Sequence, residues 1–250
     1  MTMALCQGTF RSRVMGREVH MSAALPEEDG PYRVLYLLHA LGENDSAYLR
    51  YTEVERYAIE HNIAIIMPNA DNSYYTDSVF GENYLTHIAS EIPQVASRLF
   101  QISGKREDTF IAGFSMGGYG ALKIGLSFPE RFSKIASISA PADLTLSGQY
   151  GSPLFAKIFG PDNPIKGTEH DIETLAERIC RDQKPFPEIY MCCGLQDRLL
   201  EANRIVSGAL REMGGFRLQY HEAAGGHTLD FRNEHLRNVI LWLTGEEQDA

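Results

Sequence analysis

The stretch FIAGFSMGGYG, residues 110–120, decides how this chain is read. A flexible turn needs one glycine. Here Gly113 and Gly117 lie two residues either side of Ser115, and Gly118 follows directly. An apolar run precedes them and a helix-compatible run follows, which is the setting of a nucleophile elbow. Such a turn lifts a serine hydroxyl above the edge of a sheet in a strained conformation. Side chains at 113 and 117 would collide with neighbouring backbone there, which explains a glycine at each.

Working outward, RVLYLLH (33–39), IAIIMP (63–68), DTFIAGF (108–114), FSKIASISA (132–140), EIYMCCG (188–194) and FRLQYHEA (216–223) are predicted strands. Most are continuous apolar runs, as expected of strands buried on both faces. Residues 8–25 add two β-like stretches around Met15-Gly16, a hairpin. Between the strands, helices are predicted over 46–60 with Ser46 as N-cap, over 82–100 with a break or kink at Pro93, and over 120–128. Others follow near 152–159, 170–182, 198–213 and 229–244. This alternation predicts an α/β fold: a mostly parallel central sheet with helices on both faces. The connection 141–186 is too long for a simple βα loop. It is expected to form a small cap over the carboxyl edge, where α/β sheets bind ligands, within one domain spanning 1–250.

Composition narrows the function classes. The 250 residues are 44% hydrophobic, enough for a sizeable core. A net charge of −10 disfavours a nucleic-acid partner. No apolar run reaches the ~18 residues of a membrane span. The opening MTMALCQGTFRSRV has neither a basic leader region nor an apolar core, so a cytoplasmic, unprocessed protein is expected. Cys6, Cys180, Cys192 and Cys193 lack metal-type spacing and are expected as apolar fillers, with no metal.

A serine needs a base, and the base an orienting acid. In this fold they follow in the order Ser, acid, His. GGHTLDF (225–231) places His227 after the last strand. His221 lies within that strand and His235 within the terminal helix, and HEAAGGH is not a helical zinc pattern. YMCCGLQDRLL (190–200) places Asp197 just beyond the preceding strand, whereas Glu201 is one turn deeper and Asp143 and Asp182 belong to other connections. An oxyanion hole calls for the backbone N–H of Met116 and a second from the LHALGEND loop, that of Leu41. Tyr74 and Tyr75, with Leu154, Phe155, Ile158 and Phe159, are candidate pocket walls; plain packing beneath a cap is the alternative.

At these residues the chain resembles the esterase D-like branch of the α/β-hydrolases, and most closely the bacterial tributyrin esterases. The resemblance runs through LLHALGEND, MPNADNSYYTD (67–77), FIAGFSMGGYGALKIGLSFPERFSKIASISA (110–140), GLQD and GGH. It implies cleavage of short acyl esters of small molecules without a cofactor, by Ser115, Asp197 and His227 with Leu41 and Met116 as oxyanion donors. Thioester hydrolysis of S-formylglutathione, acyl transfer to a hydroxyl acceptor, and a non-catalytic binding module are the rival readings, and a homo-oligomer stays open. One departure stands out: relatives often carry His-Gly where this chain has His39-Ala40, and the added methyl is expected to narrow the acyl side of the pocket.

Overall fold

The structure, a computed structural model, describes residues 4–27, 29–162 and 164–246. Met1, Thr2 and Met3, part of the stretch behind the expectation of an unprocessed N-terminus, lie outside the described residues. In chain order the strands are β1 (Ala4–Arg11), β2 (Glu18–Leu25), β3 (Arg33–Leu38), β4 (Ile63–Pro68), β5 (Thr109–Phe114), β6 (Lys134–Ile138), β7 (Glu188–Gly194) and β8 (Arg217–Ala223). They form one sheet in the order β1-β2-β4-β3-β5-β6-β7-β8. β1 and β2 are the antiparallel hairpin, β2 is antiparallel to β4, and every later pairing is parallel.

The helices are α1 (Ala47–Tyr51), α2 (Val54–Glu60), α3 (Tyr84–Thr86), α4 (Ile92–Leu99), α5 (Met116–Ser127), α6 (Pro153–Phe159), α7 (Ile172–Arg181), α8 (Leu200–Met213) and α9 (Leu229–Thr244). They explain the unbroken apolar strands. From β3, Val34, Tyr36 and Leu38 join a core with residues of α4, α5, α7 and α8, while Leu35 and Leu37 join a second core with α1, α2 and α9. Alternating side chains point to opposite faces, and both faces are covered.

Three local expectations change. The helix over 46–60 is two helices: Thr52 is extended, its hydroxyl donating to the Tyr48 carbonyl (2.6 Å) and accepting the Val54 amide (3.2 Å). That local bonding competes with helix continuation. Ser46 does not cap; its hydroxyl donates to Asn44 Oδ1 (2.8 Å). Pro93 does not break its helix either, since a π-helical turn over His87–Glu91 precedes it and the proline falls in the first turn of α4, where no amide donor is required.

The 141–186 connection divides in two. α7 buries Ile172, Leu175, Ala176 and Ile179, an apolar stripe at helical spacing, and packs on α5 and α8 as part of the flanking layer. Pro141, Ser147 and Gln149 instead reach the carboxyl edge of the sheet. Among the described residues no helix is long and apolar enough to cross a membrane.

The nucleophile helix starts four residues earlier than the pattern suggested, at Met116, because the turn at Ser115 is a single residue wide. A Cβ at Gly117 would overlap the Leu38 carbonyl oxygen, and one at Gly113 would overlap the Gly117 backbone. Both obstacles are backbone and cannot swing aside. Gly117→Ala is therefore expected to destabilise the protein by about 3 kcal/mol or more, read as a shift in the urea unfolding midpoint, with Gly8→Ala, which meets open space, as the control.

Candidate active site

Ser115 sits between β5 and α5 at φ +56° and ψ −120°. A non-glycine residue held there costs roughly 1–3 kcal/mol. Its amide donates to the Ile138 carbonyl at 2.9 Å, which pins the turn to the neighbouring strand β6. Met116 is the first residue of α5, so its N–H is one of the amides that an α-helix leaves without an internal partner. The positive end of the helix dipole lies beside the serine.

His227 lies in the loop between β8 and α9, and Asp197 in the loop between β7 and α8. Backbone bonds stitch the two loops together: Leu195 N–H to the Ala223 carbonyl (2.8 Å) and Gln196 N–H to the Gly225 carbonyl (2.9 Å). The Gln196 side chain accepts the Gly225 amide at 2.7 Å. On the far side, the Thr228 hydroxyl caps α9 by accepting the Phe231 amide.

The three side chains form a line. His227 Nδ1 is 2.9 Å from Asp197 Oδ2, and His227 Nε2 is 2.9 Å from Ser115 Oγ. A carboxylate can only accept, so Nδ1 carries the hydrogen and Nε2 is left to accept from the serine hydroxyl. The other oxygen of Asp197 accepts the Leu199 amide at 2.9 Å. Burial would raise the Asp197 pKa, but the hydrogen bonds from His227 and Leu199 outweigh it and hold the group below the ordinary value. The Phe114 ring stacks on the imidazole at 4.8 Å and 30°.

The rival residues are occupied elsewhere. His221 packs on the Tyr190 ring and His235 on Phe231. Asp143 pairs with Lys166 at 3.1 Å and caps the turn at 144–146, and Glu201 is exposed on α8.

The LHALGEND loop closes the opposite side. Residues 40–43 form a turn in which the Glu43 amide donates to the Ala40 carbonyl at 3.1 Å and Gly42 takes φ +80°. Ala40 N–H donates to Glu43 Oε2 (3.0 Å) and Gly42 N–H to Asn72 Oδ1 (2.7 Å). Among the described residues the Leu41 amide between them meets no acceptor. Ala40 does not occupy the left-handed region, so its methyl adds no backbone strain, and it lines the cavity beside Ser115.

That cavity, about 310 Å³, is lined by Ser115, His227, Leu41, Met116, Tyr74 and Phe114, among others. Of the six residues expected as pocket wall, only Tyr74 lines it. Tyr75 is fully buried, with its hydroxyl donating to the His39 carbonyl at 2.9 Å. Phe155 and Phe159 pack edge-on against Tyr74 at 5.2 and 6.1 Å, which is the packing alternative. Leu154 and Ile158 line a separate cavity of about 270 Å³ with Asp71 and Lys157. An amphipathic helix turns its aromatic residues inward, so α6 supplies core rather than wall. Sequence reasoning missed Glu43, Phe114, Ser147, Gln149, Arg198 and Leu229, all of which line the cavity. Proximity to Ser115 and Asp197 could have signalled Phe114 and Arg198; the rest depend on how the loops converge.

Comparison with known proteins shows the family and the fold. The family described as "Putative esterase" matches residues 12–233. The chain belongs to this esterase family. It is 31% identical to an acetyl esterase of Caldicellulosiruptor saccharolyticus, covering 97% of this chain and 98% of that one. Among solved structures, the substrate-bound fluorophosphonate-binding serine hydrolase F of Staphylococcus aureus superposes with a TM-score of 0.91 at 31% identity, over 97% of this chain and 98% of that one. An S-formylglutathione hydrolase from the same organism gives 0.87 at 31% identity, over 98% and 100%. The esterase is thus a carboxylic ester hydrolase with an α/β-hydrolase fold.

The depressed Asp197 carboxyl gives a pH signature. A group whose folded pKa lies below its unfolded value of 3.8 contributes stability above that value and loses it as pH falls through the folded one. The stability difference between wild type and Asp197→Asn is therefore expected to be constant near neutrality and to fall below about pH 4, measured by urea unfolding from pH 7 to 3.

Proposed function

We propose that this esterase is a serine carboxylesterase that hydrolyses short acyl esters of uncharged alcohols through Ser115, His227 and Asp197. The observation that carries the proposal is the pair of 2.9 Å contacts aligning hydroxyl, imidazole and carboxylate at the floor of a cavity. Ser115 Oγ attacks the ester carbonyl while its proton passes to His227 Nε2. The carbonyl oxygen becomes an oxyanion, held by the amides of Leu41 and Met116. Asp197 stays ionised and stabilises the imidazolium. Collapse breaks the bond to the leaving alkoxide, which takes the proton from Nε2, and leaves an acyl-serine. Water then attacks the acyl-serine, again giving its proton to Nε2, and release of the acid returns that proton to Ser115 Oγ.

The cavity volume supports small substrates, since it lies at the lower end of the roughly 300–1,000 Å³ typical of ligand sites. Tyr74 and Ala40 both line the cavity. The acetyl ester cleaved by the relative named for it fits this size.

A second reading has one observation in its favour. Arg198, exposed and adjacent to Asp197, is among the described residues the one guanidinium lining the cavity, so an anionic leaving group such as glutathione thiolate would meet a cation there. The same relay would serve a thioester.

Ser115→Ala is expected to abolish ester turnover and covalent labelling by a fluorophosphonate while leaving the unfolding midpoint unchanged; undiminished turnover ends the proposal. Asp197→Asn should lower kcat by about 10⁴, because the wrong imidazole tautomer is then favoured. A panel of acetyl to octanoyl esters on neutral and anionic leaving groups separates the two readings. For neutral esters, Arg198→Gln should leave kcat/KM unchanged. A fall of about tenfold or more confined to anionic thioesters would favour the second reading.

A further inference from the structure

Arg232 is a fully buried arginine on α9, five residues beyond His227. Its guanidinium lies over the rings of Tyr48 and Phe114, at 5.1 and 5.8 Å. Its Nη1 donates to Glu43 Oε1 at 2.8 Å, and the other oxygen of that carboxylate accepts the Ala40 amide at 3.0 Å. Phe114, on its part, stacks on the His227 imidazole. One buried cation therefore touches the oxyanion loop, the residue before the nucleophile and, through one ring, the base.

Stability does not account for this arrangement. Taking a guanidinium out of water costs more than a single ion pair ordinarily returns, and hydrophobic residues of like volume often do as well. Among the described residues Nη2 is buried without a partner, which adds to the cost. What the pair does accomplish is geometric. Glu43 fixes the Ala40 amide and so the turn 40–43, holding the unpaired Leu41 amide in the cavity wall.

We infer that Glu43 and Arg232 are positioning residues of the oxyanion hole: their ion pair holds the Leu41 amide where the tetrahedral oxyanion forms. The inference rests on the serine esterase reading above. An interaction realised at the oxyanion acts on kcat rather than on substrate binding.

The test compares wild type with Glu43→Gln, which keeps size and one acceptor but removes the charge. Active serines are counted by fluorophosphonate titration, so that misfolded protein does not enter kcat. The expected result is a fall in kcat per active serine of about 10- to 100-fold, below the loss of a whole donor, with KM within about threefold. Inhibition by trifluoroacetone should weaken by the same factor, since Ser115 Oγ adds to its carbonyl carbon and passes its proton to His227, leaving a hemiketal oxyanion in the hole. Arg232→Lys, which keeps the charge but loses the planar fork, is the second variant and should move both quantities in the same direction. A merely structural pair would lower the unfolding midpoint and leave kcat per active serine and the ketone affinity unchanged, which overturns the inference alone. A wild type that takes no label and cleaves no ester overturns both the inference and the esterase reading.

Discussion

Between Gly117 and the Leu38 carbonyl there is no room for a methyl group, and that close approach sets the geometry of everything at the sheet edge. It brings the start of α5 against the end of β3, so the helix N-terminus and the loop after β3 face one another across a few ångströms. Ser115 is then the one residue available to make the turn, and it does so at a φ that only strong surroundings can enforce. Those surroundings are the Ile138 carbonyl on one side and the packed helix α5 on the other. The strain at Ser115, and a Met116 amide that α5 leaves without an internal partner, are consequences of the same short distance.

The candidate site was legible in the sequence where a backbone rule dictates residue type. GxSxG between a strand and a helix leaves little freedom, and His227 and Asp197 could be chosen by asking which loops end at the same sheet edge. The structure places all three within hydrogen-bonding distance in one line. The wall of the cavity was much less legible. Tyr75 and Phe155 have the composition of a binding pocket, but aromatic residues serve a core equally well, and nothing in their order shows which way α6 turns. The start of α5 departs from the sequence pattern for a related reason, since glycines that look like a loop here permit close packing inside a helix.

Two buried cations show how differently a charge can be accommodated. Lys123, on α5, lies under the 141–186 connection, where its amine donates to Thr76 Oγ1 at 2.6 Å and stands 3.1 Å from His170 Nδ1. Burial pushes its pKa down to about 7, so near neutrality the amine is close to losing its proton. Arg232 has no such escape: a guanidinium stays charged, and so it lies over two aromatic rings and is tied to a carboxylate.

The single bond from Gly42 to Asn72 has a consequence for how this protein can change over evolutionary time. Asn72 and Tyr74 belong to one short loop, so the segment that lines the cavity beside Ser115 also braces the turn 40–43. A substitution that reshapes the wall is transmitted to the brace. Under the proposed mechanism, chain-length preference and turnover are mechanically linked, and broadening the former without eroding the latter requires compensating changes on both loops.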